Sequence, residues 1–187
     1  MKIGVLALQG AFIEHEKVLT ELGCACVELR QANDLTGLDG VVLPGGESTV
    51  QGKLLRQLGM LEPLRELIAG GLPVFATCAG LILLAEQIEG GEPPHLATLP
   101  VTVARNAFGR QLASFHTRAR LGEWEEVPMT FIRAPYITYA APEVQTLATV
   151  RGRMVGVQYK QQLALAFHPE LDEDRRVHQR FVELCHK

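Results

Sequence analysis

The chain has 187 residues, of which 47% are hydrophobic, and its formal net charge at pH 7 is −3. This length suits one domain, residues 1–187, whose core needs neither disulfides nor a metal ion. The mild acidity and the lack of a Lys/Arg block exclude nucleic acid or an anionic membrane as the main partner. No apolar stretch approaches the roughly 20 residues of a membrane helix, and no secretory signal is recognisable. We therefore expect a cytoplasmic protein with reduced cysteines.

The first half of the chain alternates strand and helix patterns. The apolar run KIGVLALQ predicts a strand buried on both faces. It is followed by AFIEHEKVLTEL, whose apolar stripe, including Phe12 and Ile13, predicts a helix. Next come strands CACVEL and GVVLP, a long helix from STVQ to LIAG that Pro63 should kink or split, strand PVFAT and helix AGLILLAEQI. This alternation predicts a parallel sheet with helices on both faces.

From about Gly90 the pattern becomes richer in Val, Thr, Tyr and Phe. Strands joined by turns are predicted for TLPVTVAR, SFHTRARL, MTFIRA, YITYA and QTLATVRGRMVGVQYKQQLALAFH, with a hairpin at RGRM. A last helix is expected from about Asp174 to Cys185. The predicted fold class is α/β, in three layers. A mostly parallel central sheet is flanked by helices, and the second half adds antiparallel strands.

Three stretches with unusual chemistry end strands of this sheet. They are LPGGEST (43–49), FATCAGL (75–81) and AFHPELD (166–172). Ligands of open α/β sheets bind at the carboxyl ends of strands, so the three stretches are expected to form one site. Cys78 lies between a strand and a helix among small residues that allow a sharp, exposed turn, as the serine of G-x-S-x-G hydrolases does. A lone cysteine in an apolar stretch is nevertheless more often a structural residue.

The other two stretches supply what a cysteine nucleophile needs. In an extended chain His168 and Glu170 would face the same side, so the carboxylate could orient the imidazole towards a thiol. The alternative for this pair is a surface ion pair at a strand end. The glycines of LPGGES let backbone N–H groups point into a cleft, where they can stabilise an oxyanion. The alternative here is a simple turn before a helix, with Ser48 and Gln51 forming a capping box.

Together these stretches make the chain resemble the class I, triad-type glutamine amidotransferases, in which Cys is followed by His-x-Glu. Across its whole length it is similar to those members that serve as glutaminase subunits of pyridoxal 5′-phosphate synthases. The resemblance rests on GVLALQGAFIEH, LPGGEST, TCAGLILLA, RNAFGRQ, FIRAP and AFHPEL. Two positions depart from the pattern: Ala76 stands where the wider family has the first glycine of G-x-C-x-G, and His116 stands where an acidic residue is expected.

The resemblance implies roles for particular residues of this chain. Cys78 would be the nucleophile, with His168 and Glu170 as its partners. The residues implied for the glutamine site are Gly46, Glu47, Ser48, Arg105, Ile132 and Arg133. Backbone N–H groups, those of Gly46 and Ala79, are expected to hold the oxyanion, and docking of a partner would organise the region of Gln9 and Gly10.

The implied function is hydrolysis of L-glutamine to L-glutamate and ammonia, without metal or organic cofactor. The ammonia would serve a separate synthase subunit that builds pyridoxal 5′-phosphate, in a hetero-oligomer. Three alternatives remain open. They are a glutaminase for another synthase, such as that of imidazole glycerol phosphate, a non-catalytic interaction subunit on the same fold, and a cysteine hydrolase or chaperone on a similar fold.

Overall fold

The computed structural model describes residues 1–105 and 114–186. Within these ranges the chain forms twelve strands and five α-helices. The strands are β1 (Lys2–Leu6), β2 (Ala25–Leu29), β3 (Gly40–Leu43), β4 (Val74–Thr77), β5 (Ala85–Ile88), β6 (Leu99–Ala104), β7 (Ser114–Leu121), β8 (Trp124–Ile132), β9 (Tyr136–Ala140), β10 (Gln145–Val150), β11 (Arg153–Tyr159) and β12 (Gln162–Leu165). The helices are α1 (Phe12–Glu21), α2 (Ser48–Gln57), α3 (Leu61–Ala69), α4 (Ala79–Leu84) and α5 (Arg176–Cys185).

The main sheet has the strand order β2-β1-β3-β4-β12-β11-β9-β6-β5, and β10 pairs with β11. The run from β2 to β12 is parallel, whereas β11 is antiparallel to its neighbours β12, β9 and β10. A separate antiparallel ribbon joins β7 and β8. The predicted α/β class, with a mostly parallel central sheet and antiparallel additions in the second half, is confirmed.

The parallel run is the hydrophobic centre of the molecule. Every residue of β3, β4 and β12 is buried, because helices cover both faces of the sheet. Within this run β4 pairs in register with β3 on one side and with β12 on the other, so that Ala76 lies between Leu43 and Ala164. The carboxyl ends of the three strands therefore lie side by side. They bring together the three stretches that carry the chemistry.

The helices depart from prediction at several points. The long predicted helix breaks at Gly59, whose φ is +64°, and not at Pro63, which lies in the first turn of α3 where a missing N–H costs nothing. Helix α4 ends at Leu84, and the chain continues directly as strand β5 rather than as helix to Ile88. The predicted stripe of α1 is correct for Val18 and Leu19, which are buried, but wrong for Ile13, which is 64% exposed, while His15 is fully buried.

The predicted capping box at the start of α2 is wrong. Glu47 is the N-cap, no side chain caps the helix, and Ser48 is already its first residue. The Gln51 amide instead donates to the backbone carbonyls of Gln9 and Pro44, at 2.9 and 3.2 Å. Tertiary contacts therefore override the local signal. Among the described residues, no helix combines the length and apolar character that a membrane crossing needs.

Candidate active site

Cys78 lies at a strained turn between β4 and α4. Its backbone has φ +48° and ψ −102°, a conformation that costs energy for any residue other than glycine. The Cys78 N–H donates to the carbonyl of Leu165 at 2.8 Å, which fixes the turn to β12. A side chain at Gly80 would collide with the carbonyl of Leu43, so α4 packs directly on β3. Ala76 lies within β4, before the turn, and its methyl group is accommodated in the sheet.

His168 follows β12 and faces this turn. Its backbone N–H donates to the carbonyl of Thr130 at 2.8 Å, and its ring atom Nδ1 lies 2.7 Å from Oε1 of Glu170. The ring packs against Gly45, where no Cβ would fit. Burial lowers the pKa of the imidazole, but hydrogen bonds to Cys78 and Glu170 and the charges of both outweigh burial and raise the pKa to about 10. His168 is therefore positioned to carry a proton beside the sulfur.

Glu170 lies behind His168, with a fully buried side chain. It belongs to a single 3₁₀ turn, Pro169–Leu171, and not to an extended chain as predicted; the turn still directs its carboxylate at the imidazole. Burial would raise the pKa of the carboxyl, but His15 and the hydrogen bond and charge of His168 lower it. A charged carboxylate at this place accepts a hydrogen bond from Nδ1–H of His168 and so fixes the ring. The other ring nitrogen, Nε2, remains free to face the thiol of Cys78.

The turn and the imidazole form the floor of a cavity of about 270 Å³, slightly below the roughly 300–1,000 Å³ typical of ligand pockets. Its lining residues are Gln9, Gly10, Ala11, Gly45, Gly46, Glu47, Ser48, Cys78, Ala79, Ile82, Arg105, Ile132, Arg133, Pro135 and His168. Every residue predicted for the site lines this cavity except Glu170, which lies behind its wall. In the described part of the chain no cluster of His, Cys, Asp and Glu side chains has the arrangement of a metal site.

Two arginines stand at the rim of the cavity. Arg133 has φ +42°, is exposed, and places its guanidinium 3.1 Å from Oε1 of Glu47, which also lines the cavity. Arg105 donates to Glu92 at 2.6 Å. Both guanidiniums are therefore held near the entrance, where they suit a carboxylate ligand. The motif NAFGRQ, residues 106–111, lies outside the described residues.

The segment of Gln9 and Gly10 is tied to the glycine loop that follows β3. The Gln9 side-chain oxygen accepts from the N–H of Glu47 at 2.7 Å, and its backbone carbonyl accepts from Gln51. A side chain at Gly10 would collide with the carbonyl of Gly45. The two loops therefore touch backbone to backbone, and Gln51 holds the peptide between Gln9 and Gly10 in one orientation.

The sequence pattern of the SNO glutamine amidotransferase family matches residues 5–187, nearly the whole chain. The chain belongs to the SNO glutamine amidotransferase family. It is 60% identical over 184 residues to the pyridoxal 5′-phosphate synthase subunit PdxT of Desulfitobacterium hafniense, covering 98% of this chain and 92% of that protein. It is 53% identical to the protein of the same name from Streptococcus pneumoniae, covering 99% and 97%.

Solved structures agree with this membership. A crystal structure of a glutamine amidotransferase, 43% identical and covering 99% of both chains, superposes with a TM-score of 0.94. PurLQS from Thermotoga maritima, 15% identical with a TM-score of 0.73, covers 97% of both chains and shares the fold. The fold predicted from the resemblance is thus the fold of this family.

Two groups of polar residues near the amidotransferase site were missed by sequence reasoning. His15 and His178 are fully buried and lie behind Glu170. The sequence signal that could have indicated them is a histidine on the buried face of the amphipathic helices α1 and α5. On the other side, Nδ1 of His116 lies 3.0 Å from Oγ1 of Thr130 and 3.8 Å from Asp172. His116, which departs from the family pattern, therefore faces a carboxylate in the segment that carries His168 and Glu170.

Proposed function

We propose that this chain hydrolyses L-glutamine to L-glutamate and ammonia and delivers the ammonia to a separate synthase subunit that makes pyridoxal 5′-phosphate. In this proposal residues 1–187 act as one glutamine amidotransferase domain, in the cytoplasm, within a hetero-oligomer. Family membership and the relatives named pyridoxal 5′-phosphate synthase subunit support it. The observation that carries it is the contact series from Glu170 through His168 to Cys78 at the floor of the cavity.

The proposed reaction begins with attack of the Cys78 thiolate on the side-chain amide carbon of glutamine. The tetrahedral oxyanion collapses as the imidazolium of His168 gives its proton to the departing nitrogen, so ammonia leaves and a thioester remains. A water molecule then loses a proton to His168 and attacks the thioester, and the Cys78 sulfur leaves as thiolate. Glutamate is released, and the proton bound by His168 restores the starting pair. Glu170 holds the imidazole throughout.

The remaining lining residues bind and orient the substrate in this proposal. Backbone N–H groups of Gly46 and Ala79 receive the oxyanion, because both residues border the cavity beside Cys78. The residues proposed to hold the amino-acid part of glutamine are Gly46, Glu47, Ser48, Arg105, Ile132 and Arg133. Arginine and glutamate at the rim suit the carboxylate and ammonium groups of an amino acid, respectively.

The partner would act through the segment of Gln9 and Gly10. Gln51 holds the Gln9 carbonyl, and this segment touches the glycine loop proposed to supply the oxyanion donor. Docking of the synthase subunit beside this segment would release that contact and reorient the peptide. Weak glutaminase activity is expected for the chain alone, and much higher activity for the complex.

The test is glutamate release from L-glutamine, with and without the pyridoxal 5′-phosphate synthase subunit of the same organism. Cys78→Ala should abolish release in both cases, while Cys26→Ala, a half-buried cysteine outside the cavity, should not. Activity retained by Cys78→Ala would refute the assignment of the nucleophile.

The imidazole glycerol phosphate synthase subunit in place of the first partner should give no stimulation. No release under any condition would favour a non-catalytic subunit.

A further inference from the structure

A chain of buried polar side chains continues behind the proposed triad. Nε2 of His15, on α1, lies 3.4 Å from Oε2 of Glu170 and 3.1 Å from Oγ1 of Thr77, the residue before the nucleophile. Nδ1 of His15 lies 3.0 Å from Nε2 of His178, on α5. The side chains of His15 and Glu170 are fully buried, and so are residues Thr77 and His178. One imidazole thus connects three parts of the chain directly behind the site.

The hydrogen-bonding capacity of the groups around His15 selects one of its two neutral tautomers. A charged carboxylate only accepts hydrogen bonds, and within the described residues Oε2 of Glu170 has no partner at ordinary hydrogen-bond geometry. With the proton on Nε2, His15 donates to Oγ1 of Thr77 at 3.1 Å and turns the positive side of the same N–H towards that oxygen, 3.4 Å away. With the proton on Nδ1, the Nε2 atom of His15 would direct a lone pair at Oε2 of Glu170. The negative charge of this buried carboxylate oxygen would then be left uncompensated. The first tautomer is therefore strongly favoured.

His178 completes the assignment. If Nε2 of His15 carries the proton, its Nδ1 is an acceptor, so the proton between the two rings must belong to Nε2 of His178. The other nitrogen of His178, Nδ1, is then unprotonated. It has no hydrogen-bond partner among the described residues, and a bare acceptor is tolerated better in a buried place than an unpaired N–H. All donors in the series therefore point the same way, from α5 towards Glu170.

We propose that His15 is a positioning residue of the glutaminase site, whose Nε2–H, bound to Thr77, holds the second oxygen of Glu170 electrostatically, and that His178 selects the tautomer that makes this possible. The inference rests on the proposed function, because it assigns a role to residues behind that same site. With Oε1 bound by His168 and Oε2 attracted by the N–H of His15, rotation of the carboxylate is opposed at both oxygens. The imidazole of His168 then keeps its orientation towards Cys78 through both halves of the reaction.

The protonation states fit this arrangement. Burial lowers the pKa of His15, and the attraction of Glu170 and Glu14 does not overcome it. Burial, His15 and Arg175 together lower the pKa of His178 to about 2. Both rings are therefore neutral at physiological pH, and each has one proton to place. Neutral donors leave the negative charge of Glu170 available to the imidazolium of His168.

The first experiment reads the tautomer directly and does not depend on glutaminase activity. The full chain is labelled with ¹⁵N-histidine, and the ring nitrogens are assigned by comparison with His15→Gln and His178→Gln. Nε2 of His15 should resonate in the protonated range and its Nδ1 in the unprotonated range, with the same pattern for His178. The reverse pattern for His15 would overturn the proposal, whatever the activity of the protein.

The second experiment compares His15→Gln with His15→Asn in the complex with the synthase subunit. The glutamine amide reaches the place of Nε2 and can still donate to Glu170, whereas the asparagine amide reaches only the place of Nδ1, facing His178. The asparagine variant should lose kcat by about 10- to 100-fold, the range for losing a hydrogen bond to a charged group, with KM for glutamine unchanged. The glutamine variant should retain most of kcat.

Three results distinguish the possibilities. A wild-type complex that releases no glutamate contradicts the proposed function, whereas the tautomer measurement still decides the orientation of His15. Equal kcat for the two amide variants, both folded by circular dichroism, contradicts positioning through Nε2. If the asparagine variant does not fold, kcat of the glutamine variant decides: near-wild-type kcat supports the donor role, and a loss beyond 100-fold contradicts it.

Discussion

Gly45→Ala should displace the imidazole of His168, the proposed base, while leaving the backbone unstrained. Gly45 does not have a positive φ, so alanine is compatible with the main chain at this position. A Cβ there would lie 3.1 Å from Nδ1 and 3.4 Å from Nε2 of His168, and nearer still to Cε1. The loop cannot retreat, because the Gly45 carbonyl accepts from Ala11 at 3.0 Å and packs directly on Gly10. The ring must therefore move.

The size of the effect follows from that movement. Carbon atoms in contact are about 3.5–4.0 Å apart, so the ring, whose Cε1 would lie much closer than that to the new Cβ, must shift by at least about 1 Å. A misplacement of about 1 Å costs roughly 10²-fold in rate, or about 2.7 kcal/mol of transition-state stabilisation. Overpacking of this kind also lowers the free energy of unfolding by about 1–3 kcal/mol. Since the methyl group points at the ring, KM for glutamine should change less than kcat.

The assay is steady-state glutaminase activity in the complex with the synthase subunit, together with urea unfolding of the chain alone. Gly70→Ala is the matched control. Gly70 has φ −73° at the end of α3, its Cβ would meet only the Glu66 and Leu67 carbonyls at 3.1 and 3.4 Å, and it lies outside the cavity. It should keep wild-type kcat. A Gly45→Ala protein with wild-type kcat would refute the reasoning, as would a crystal structure with an unmoved His168 ring.

Three further predictions concern strain, pH and substrate binding. Cys78→Gly should unfold at higher urea than Cys78→Ala, by about 1 kcal/mol in free energy of unfolding, because φ +48° strains alanine but not glycine. Between pH 6.5 and about 2 the unfolded chain binds a proton at His178 that the folded chain does not bind, so stability falls with falling pH. His178→Phe should reduce this slope by about 0.7 kcal/mol per pH unit near pH 6.5 and by about 1.4 kcal/mol per pH unit near pH 5, measured by urea unfolding at pH 5–6.5. Arg133→Met should raise KM for glutamine about tenfold with kcat nearly unchanged, in the steady-state assay.

Each of these has an outcome that contradicts it. Equal unfolding free energies for the two Cys78 variants would mean that the turn stores no strain. An unchanged pH slope in His178→Phe would mean that the folded protein protonates this ring normally. For Arg133, the control is Arg120→Met, equally exposed and also paired with a glutamate; a similar KM change in both variants would exclude a specific role. Neither arginine change should alter stability by more than about 0.5 kcal/mol.

The candidate site at the end of the sheet was predictable because each of its three stretches follows an apolar strand. In a parallel sheet the carboxyl ends of strands share one edge, so LPGGEST, FATCAGL and AFHPELD had to meet if β3, β4 and β12 are neighbours. Glu170 was paired correctly with His168 for a partly wrong reason, since a 3₁₀ turn, and not an extended strand, brings the two together.

The support behind the site was not predictable in the same way. His15 and His178 are distant in the chain, and no local pattern indicates that His15 contacts Glu170 and that His178 in turn contacts His15. Hydrophobicity favoured Ile13 for the buried face of α1, whereas the protein buries a histidine that has three polar partners. Gln51 shows the same effect, because a tertiary contact with Gln9 used the side chain that local sequence assigned to a cap.

The position of β12 beside β4 also governs when this protein becomes active during synthesis. Strand β4 and Cys78 leave the ribosome long before residues 162–170, which supply the second neighbour of β4 together with His168 and Glu170. Until then the nascent chain has an unpaired apolar edge at the centre of its future sheet, a surface that invites association with other chains. We expect a fragment ending before residue 162 to aggregate and to carry an unreactive Cys78. Ammonia release would thus be confined to chains that have been completed.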